Sequence, residues 1–141
     1  MNALVIGCGR VESAVARRLA DDGWTVAAVD EKEEALGRLG EDWSGPFVLG
    51  HGVDIDVLRS GGIEDADAVV VSTNGDNTNI VIAQVAKQRF GVRSVVVRIL
   101  DPNRSSFYAS QGMRTICPTQ TAIDQLTDAV RADFATQTPA S

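Results

Sequence analysis

Residues 3–13, Ala-Leu-Val-Ile-Gly-Cys-Gly-Arg-Val-Glu-Ser, constrain the fold most when taken with residues 24–30, Trp-Thr-Val-Ala-Ala-Val-Asp. They read as an apolar strand, a glycine turn, a helix, a second apolar strand, and a carboxylate at that strand's end. The opening half of a dinucleotide-binding fold has this order. Gly7 permits the tight turn. Gly9 lets backbone approach a pyrophosphate at the helix N-terminus, where unpaired N–H groups and the helix dipole favour anions. Asp30 stands at the spacing of a carboxylate that accepts from ribose hydroxyls. The third small residue of the fingerprint belongs at position 12, where this chain has Glu12. Val11, Val15 and Leu19 recur at helical spacing, so they are expected to pack that helix on the sheet.

The same alternation continues along the chain. Strands are expected near 2–7, 24–29, 46–49, 68–73, 94–99 and 113–117, and helices near 10–22, 31–40, 54–60, 77–90, 102–111 and 119–134. The strands are Val-, Ile-, Leu- and Ala-rich without polar alternation, as in a parallel sheet buried on both faces. The expected architecture is therefore α/β: a three-layer Rossmann-like fold with a six-stranded parallel sheet in the order 3-2-1-4-5-6. Residues 1–134 form one domain in this reading, and 135–141 a frayed tail. The strand order gathers Gly7–Val11, Asp30–Lys32, Gly50–Gly52 and Ser72–Asn77 around one crevice. In the last helix Ile123, Leu126, Val130 and Phe134 make an apolar stripe, which either folds back on its own sheet or crosses to a partner subunit.

Bulk properties narrow the function. With 141 residues and 44% apolar content the chain can build a real core. A net charge of −6 without a Lys/Arg cluster argues against nucleic acid. The longest apolar runs are too short to span a bilayer, and the N-terminus enters the first strand without a signal-peptide pattern. Cys8 and Cys117 are isolated, which suits a reducing cytoplasm with free thiols, and neither has a partner at metal-ligand spacing.

Several further segments together resemble a known family. They are Gly7-Cys-Gly-Arg-Val11, Val29-Asp30, Gly50-His-Gly-Val-Asp54 with Leu58, and Gly62-Ile-Glu-Asp-Ala-Asp-Ala-Val69. The pattern continues through Ser72-Thr-Asn-Gly-Asp-Asn77 with Asn79, Val95-Val-Val-Arg98 and Pro118. It is similar to the N-terminal domain of regulator-of-potassium-conductance proteins, the KTN or TrkA-N family. The resemblance implies a cytoplasmic domain beneath a membrane potassium channel or transporter. It also implies a homodimer, assembling further into rings in many relatives, that binds NAD(H) or ATP/ADP. By position, Gly7, Cys8, Gly9, Arg10 and Val11 would meet the phosphates, with Arg10 offering a planar donor fork. Asp30, flanked by Glu31 and Lys32, would take the ribose, unless it only caps the following helix. His51 and Gly52 would lie near the adenine, His51 replacing an Asp found in many relatives. Ser72, Thr73 and Asn74 would line the far wall, and Arg98 would reach a distal phosphate or a partner subunit. Asp76 or Asn77 is expected to cap helix 77–90. NADP is disfavoured, because its 2′-phosphate would meet Asp30 and Glu31.

Two departures from the family pattern bear on function. Glu12 suits the bare helix N-terminus electrostatically but stands where the pyrophosphate is expected. Two like charges ~4–5 Å apart repel by roughly 1–4 kcal/mol. Glu12 therefore either plugs the site with its own anion or turns outward and spares it. Many relatives also continue into a C-terminal ligand domain, so the chain reads either as a truncated form or as a subunit with the nucleotide module alone. The leading expectation is a nucleotide-sensing regulatory module without catalytic residues. A small NAD-dependent oxidoreductase is the rival. It would lack a substrate domain, and Tyr108 is followed four residues later by Gly112 rather than Lys. No Gly-Lys-Ser/Thr phosphate loop is present either. A dimerisation domain with its pocket plugged by Glu12 is the third reading.

Overall fold

The computed structural model describes residues 1–135. Six parallel strands form one sheet in the order β3-β2-β1-β4-β5-β6, as the alternation of segments implies. They are β1 (Asn2–Ile6), β2 (Thr25–Asp30), β3 (Phe47–Leu49), β4 (Ala68–Val71), β5 (Ser94–Arg98) and β6 (Arg114–Ile116). The helices between them are α1 (Arg10–Asp21), α2 (Ala35–Leu39), α3 (Ile55–Ser60), α4 (Asp76–Gln84), α5 (Pro102–Ser110) and α6 (Pro118–Ala135). β1 pairs with β2 on one side and β4 on the other, with Ile6 opposite Val29 and Val71. That register brings the ends of these three strands level, which places their following loops side by side.

The two faces of the sheet carry different cores. On one, Leu4, Ile6, Val29, Val69, Val71 and Val97 pack against Leu58, Ile63, Ile80 and Ile82. Burying each of these side chains contributes about 1.5–3 kcal/mol. On the other, the residues are smaller: Ala3, Val5, Val26 and Ala28 meet Ala16, Ala35 and Leu39. Small residues let α1 come close to the sheet, and this sets the geometry of the crevice above it.

That close approach turns α1 away from the orientation its apolar spacing predicts. Its buried residues are Glu12, Ser13 and Ala16; of the expected stripe Leu19 packs partly buried against this core, while Val11 is exposed. Val15 is half-buried. The hydrophobic pattern misleads here because the contact is made by compact side chains and by one carboxylate that finds partners below the glycine loop.

Other boundaries also differ from expectation. The helix expected over 31–40 is reduced to α2 at 35–39, because Asp30 Oδ1 accepts from Lys32 N–H at 2.8 Å and holds a turn there. The expected helix 77–90 begins at Asp76, ends at Gln84 and continues as a π-helical turn over Val85–Arg89. α6 does not fold back on its own sheet. None of its residues is buried, and Ile123, Leu126, Val130 and Phe134 are all exposed. The expected tail falls outside the described residues save for Ala135, which ends α6.

Candidate functional site

Each of the strands β1, β3 and β4 passes its last ladder bond into the loop that follows it. Gly7 N–H donates to Val29 O at 2.8 Å, Ser72 N–H to Ile6 O at 2.9 Å and Gly50 N–H to Asp30 O at 2.9 Å. The loops are thereby fixed along one edge of the sheet, and a cavity of about 670 Å³ opens between them. Its wall contains Gly7, Cys8, Gly9, Arg10, Val11, Asp30, Glu31, Lys32, His51, Gly52, Ser72, Thr73, Asn74 and Arg98, while Asp76 and Asn77, expected around the crevice, are outside it. It also contains Ile6, Val29, Arg38, Val53 and Thr78, which the sequence did not suggest. Arg38 is the most consequential of these, since it adds a cation whose Nη1 donates to Cys8 O at 3.4 Å. Its place in the wall depends on α2 beginning at Ala35 rather than at residue 31.

Gly7 has φ +96°. A Cβ there would lie 2.3 Å from Ser72 O, so both the conformation and the space require glycine. The loop it starts leads into α1, whose first helical bond runs from Ser13 N–H to Gly9 O at 3.0 Å. The N–H groups of Arg10, Val11 and Glu12 therefore lack intrahelical acceptors at the cavity wall. Arg10 and Lys32 are exposed at the rim.

Asp30 does not cap a helix. Its Oδ2 accepts from Cys8 N–H at 2.8 Å and its Oδ1 from Lys32 N–H at 2.8 Å. A carboxylate has about four acceptor positions, so it ties the two loops together and keeps lone pairs for further donors. Burial pushes the Cys8 thiol up to about 12, with the Asp30 and Glu12 carboxylates adding to the effect and Arg38 opposing it. Cys8 is thus an inert thiol in the floor of the loop. His51 Nδ1 lies 2.7 Å from Glu31 Oε2 on the exposed rim.

Glu12 neither turns outward nor fills the cavity. It is 4% exposed and lies in the wall beneath Gly9, where its Oε2 would come within 2.7 Å of a Cβ on that glycine. Its Oε1 accepts from Ser72 Oγ and, at 2.9 Å, from Arg98 Nη1. Arg98 Nη2 donates to Thr73 O at 2.7 Å. Arg98 is therefore held inside the chain rather than extended toward a partner. Asn79, buried, completes the group: its Oδ1 accepts from Thr73 N–H at 2.8 Å, and its Nδ2 donates to Thr73 O and Arg98 O.

Asp76 and Asn77 lie outside the cavity wall and cap nothing; the N-cap of α4 is Gly75, which lacks a side-chain bond. The Asp76 carboxylate accepts instead from Leu100 and Asp101 N–H, at 2.8 and 3.0 Å, and Asn77 accepts from Arg104. The two residues anchor the loop between β5 and α5. The start of α4 is in this way joined to the segment that leads from β5 into α5.

Comparison with known proteins agrees with this architecture. The TrkA-N domain family matches residues 3–118. The Trk system potassium uptake protein TrkA of Streptomyces coelicolor is 42% identical over 126 residues, covering 89% of this chain and 56% of that protein. The chain thus spans little more than half the length of that relative. A structure of GsuK bound to ADP superimposes with a TM-score of 0.79 at 21% identity, over 94% of this chain and 34% of that one. The GsuK channel bound to NAD gives 0.67 at 15% identity, over 83% and 21%. At these identities the two structures attest a shared fold. The match over residues 3–118 and the identity to the Streptomyces protein go further: this chain belongs to the TrkA-N domain family.

Proposed function

We propose that this domain is a cytoplasmic nucleotide-sensing module of a potassium uptake or channel system. The observation that carries the reading is the single cavity in which the α1 N-terminus, Asp30 and the rim cations Arg10, Lys32 and Arg38 converge. The first supplies N–H donors for a pyrophosphate, the second acceptors for ribose hydroxyls, and the third compensating charge. An adenine nucleotide, NAD(H) or ATP/ADP, satisfies all three, with its base toward His51 and Gly52. A 2′-phosphate would lie against Asp30 and Glu31, which disfavours NADP.

The regulatory part follows from α6. An 18-residue helix with four exposed apolar residues along one stripe needs a cover, and a second copy of this chain supplies one by symmetry. In the homodimer, ligand that binds one arrangement of the two subunits better shifts the population toward it by that difference in affinity. A membrane channel or transporter in contact with the dimer, or with a ring built from it, then senses the nucleotide. The mechanism needs no catalytic residue.

Melting in the presence of NADH, NAD, ADP or ATP tests the reading. At a ligand concentration of ~100 Kd, binding adds about 2.7 kcal/mol and raises the melting temperature by several degrees. A flat response to all four would leave only the assembly role.

A further inference from the structure

Resting on the nucleotide reading above, we propose that Glu12 decides which nucleotide the site accepts, favouring a dinucleotide such as NAD(H) over ATP. The strand order lays the subsites out along one edge of the sheet. Asp30 ends β2, Gly7–Gly9 follow β1, Ser72 and Thr73 follow β4, and Arg98 ends β5. Neighbouring strands lie about 4.8 Å apart. A nucleotide with its ribose at Asp30 and its pyrophosphate at the start of α1 presents its next group to Ser72, Thr73 and Arg98. In ATP that group is the third phosphate. In NAD(H) it is a second ribose, which brings hydroxyls and no anion.

The place where this group arrives holds an internal ion pair. Glu12 Oε1 receives both Arg98 Nη1 and Ser72 Oγ, and Arg98 Nη2 is engaged by Thr73 O. The side chains are 5% and 21% exposed, so the pair lies in the wall with little solvent to screen it. Both terminal nitrogens of Arg98 are committed inside the chain, and the nearest carboxylate is packed under Gly9. A third phosphate would meet an anion already holding the cation it needs. A ribose meets a neutral pair together with the Thr73 hydroxyl, which donates to Asn79 Oδ1 and keeps its oxygen as an acceptor. The cations left to the ligand, Arg10, Lys32 and Arg38, lie on the β1–β2 side of the cavity, where two phosphates suffice for them.

Calorimetric titration of NADH, ADP and ATP into this chain, Glu12→Gln and Glu12→Gly tests the proposal, with a melt of each protein confirming that it is folded. The unaltered chain is expected to bind NADH at least about tenfold more tightly than ATP. In both variants ATP should tighten about tenfold or more, and at least about threefold more than NADH, whose pyrophosphate shares the approach over Gly9. An unaltered chain that binds ATP as well as NADH overturns the proposal without any variant. Equal tightening of both ligands, or an unchanged ratio, also overturns it while leaving the nucleotide site standing. Failure of every protein to bind any nucleotide would instead remove the nucleotide reading, and this proposal with it.

Discussion

Arg98, at the end of β5, and Glu12, in the first turn of α1, meet at 2.9 Å although 86 residues separate them in the chain. The pair bridges the two halves of the fold at the crevice, and it is nearly closed to water. Breaking such a pair from one side is costly, because the remaining charge is buried without a partner. Arg98→Ala should destabilise the domain by about 3 kcal/mol, the low end of the usual range because Arg98 is one-fifth exposed. Combining it with Glu12→Gln should restore a good part of that loss. Denaturant unfolding of the two single variants and the double variant measures the coupling; additive losses would show that the contact carries no energy of its own.

Gly7 and Gly23 share a positive φ, +96° and +94°, but only Gly7 is hemmed in by the Ser72 carbonyl. Gly23→Ala should cost about 1–2 kcal/mol, the conformational penalty alone. Gly7→Ala adds a clash with backbone and should cost about 3 kcal/mol or more. Urea unfolding of both separates conformation from contact, and equal losses would contradict the packing described at the loop.

The sheet and its order were legible in the sequence because each strand is a short run of residues buried on both faces, punctuated by glycine and acidic turns. The cavity wall was legible for the same reason: the strand order fixes which loops converge. Less legible were features decided by side chains distant in sequence. Val11, Val15 and Leu19 carry the helical period, yet only Leu19 of the three packs against the core, and α1 fully buries Glu12, Ser13 and Ala16 because the facing strands are lined by Ala3, Val5 and Ala28. Arg98 is expected from the sequence at a distal phosphate or a partner subunit, and Asp76 or Asn77 at a helix cap. Each is captured by a partner from another element: Arg98 by Glu12 and Thr73, Asp76 by the Leu100 and Asp101 amides. No local pattern encodes such pairings.

Cys8 gives a pH signature. Its thiol is pushed up to about 12 in the fold, above the ordinary 9.0, so the folded state holds the proton more tightly than the unfolded chain. Its contribution to stability is complete below pH ~9 and is lost as pH rises toward 12. Stability should fall through this window, and Cys8→Ala should flatten the fall. At pH 8 a thiol reagent should label Cys117, which is partly exposed, well before Cys8. Faster labelling of Cys8 in the folded protein would contradict its place in the floor of the loop.

The α6 stripe yields a test of assembly. Leu126 and Phe134 are 70% and 63% exposed, so charging both should leave the monomer fold and its melting temperature nearly unchanged. Leu126→Glu combined with Phe134→Glu should nevertheless convert a dimer into a monomer, as read by light scattering after size exclusion. A monomeric parent chain, or a double variant that stays dimeric, would remove α6 as the interface.

The most direct test of the central claim is titration calorimetry of NADH and ADP into this chain and into Asp30→Asn. The substitution keeps an acceptor oxygen for Cys8 N–H, gives up the bond from Lys32 N–H and removes the charge that would face a ribose, so a melt of the variant accompanies the titration. We predict saturable binding near one ligand per chain, weakened about tenfold or more by the variant, the size expected of a lost charge-assisted hydrogen bond. Absence of binding to the parent chain, or equal affinity in Asp30→Asn, would contradict a nucleotide held in this cavity by Asp30.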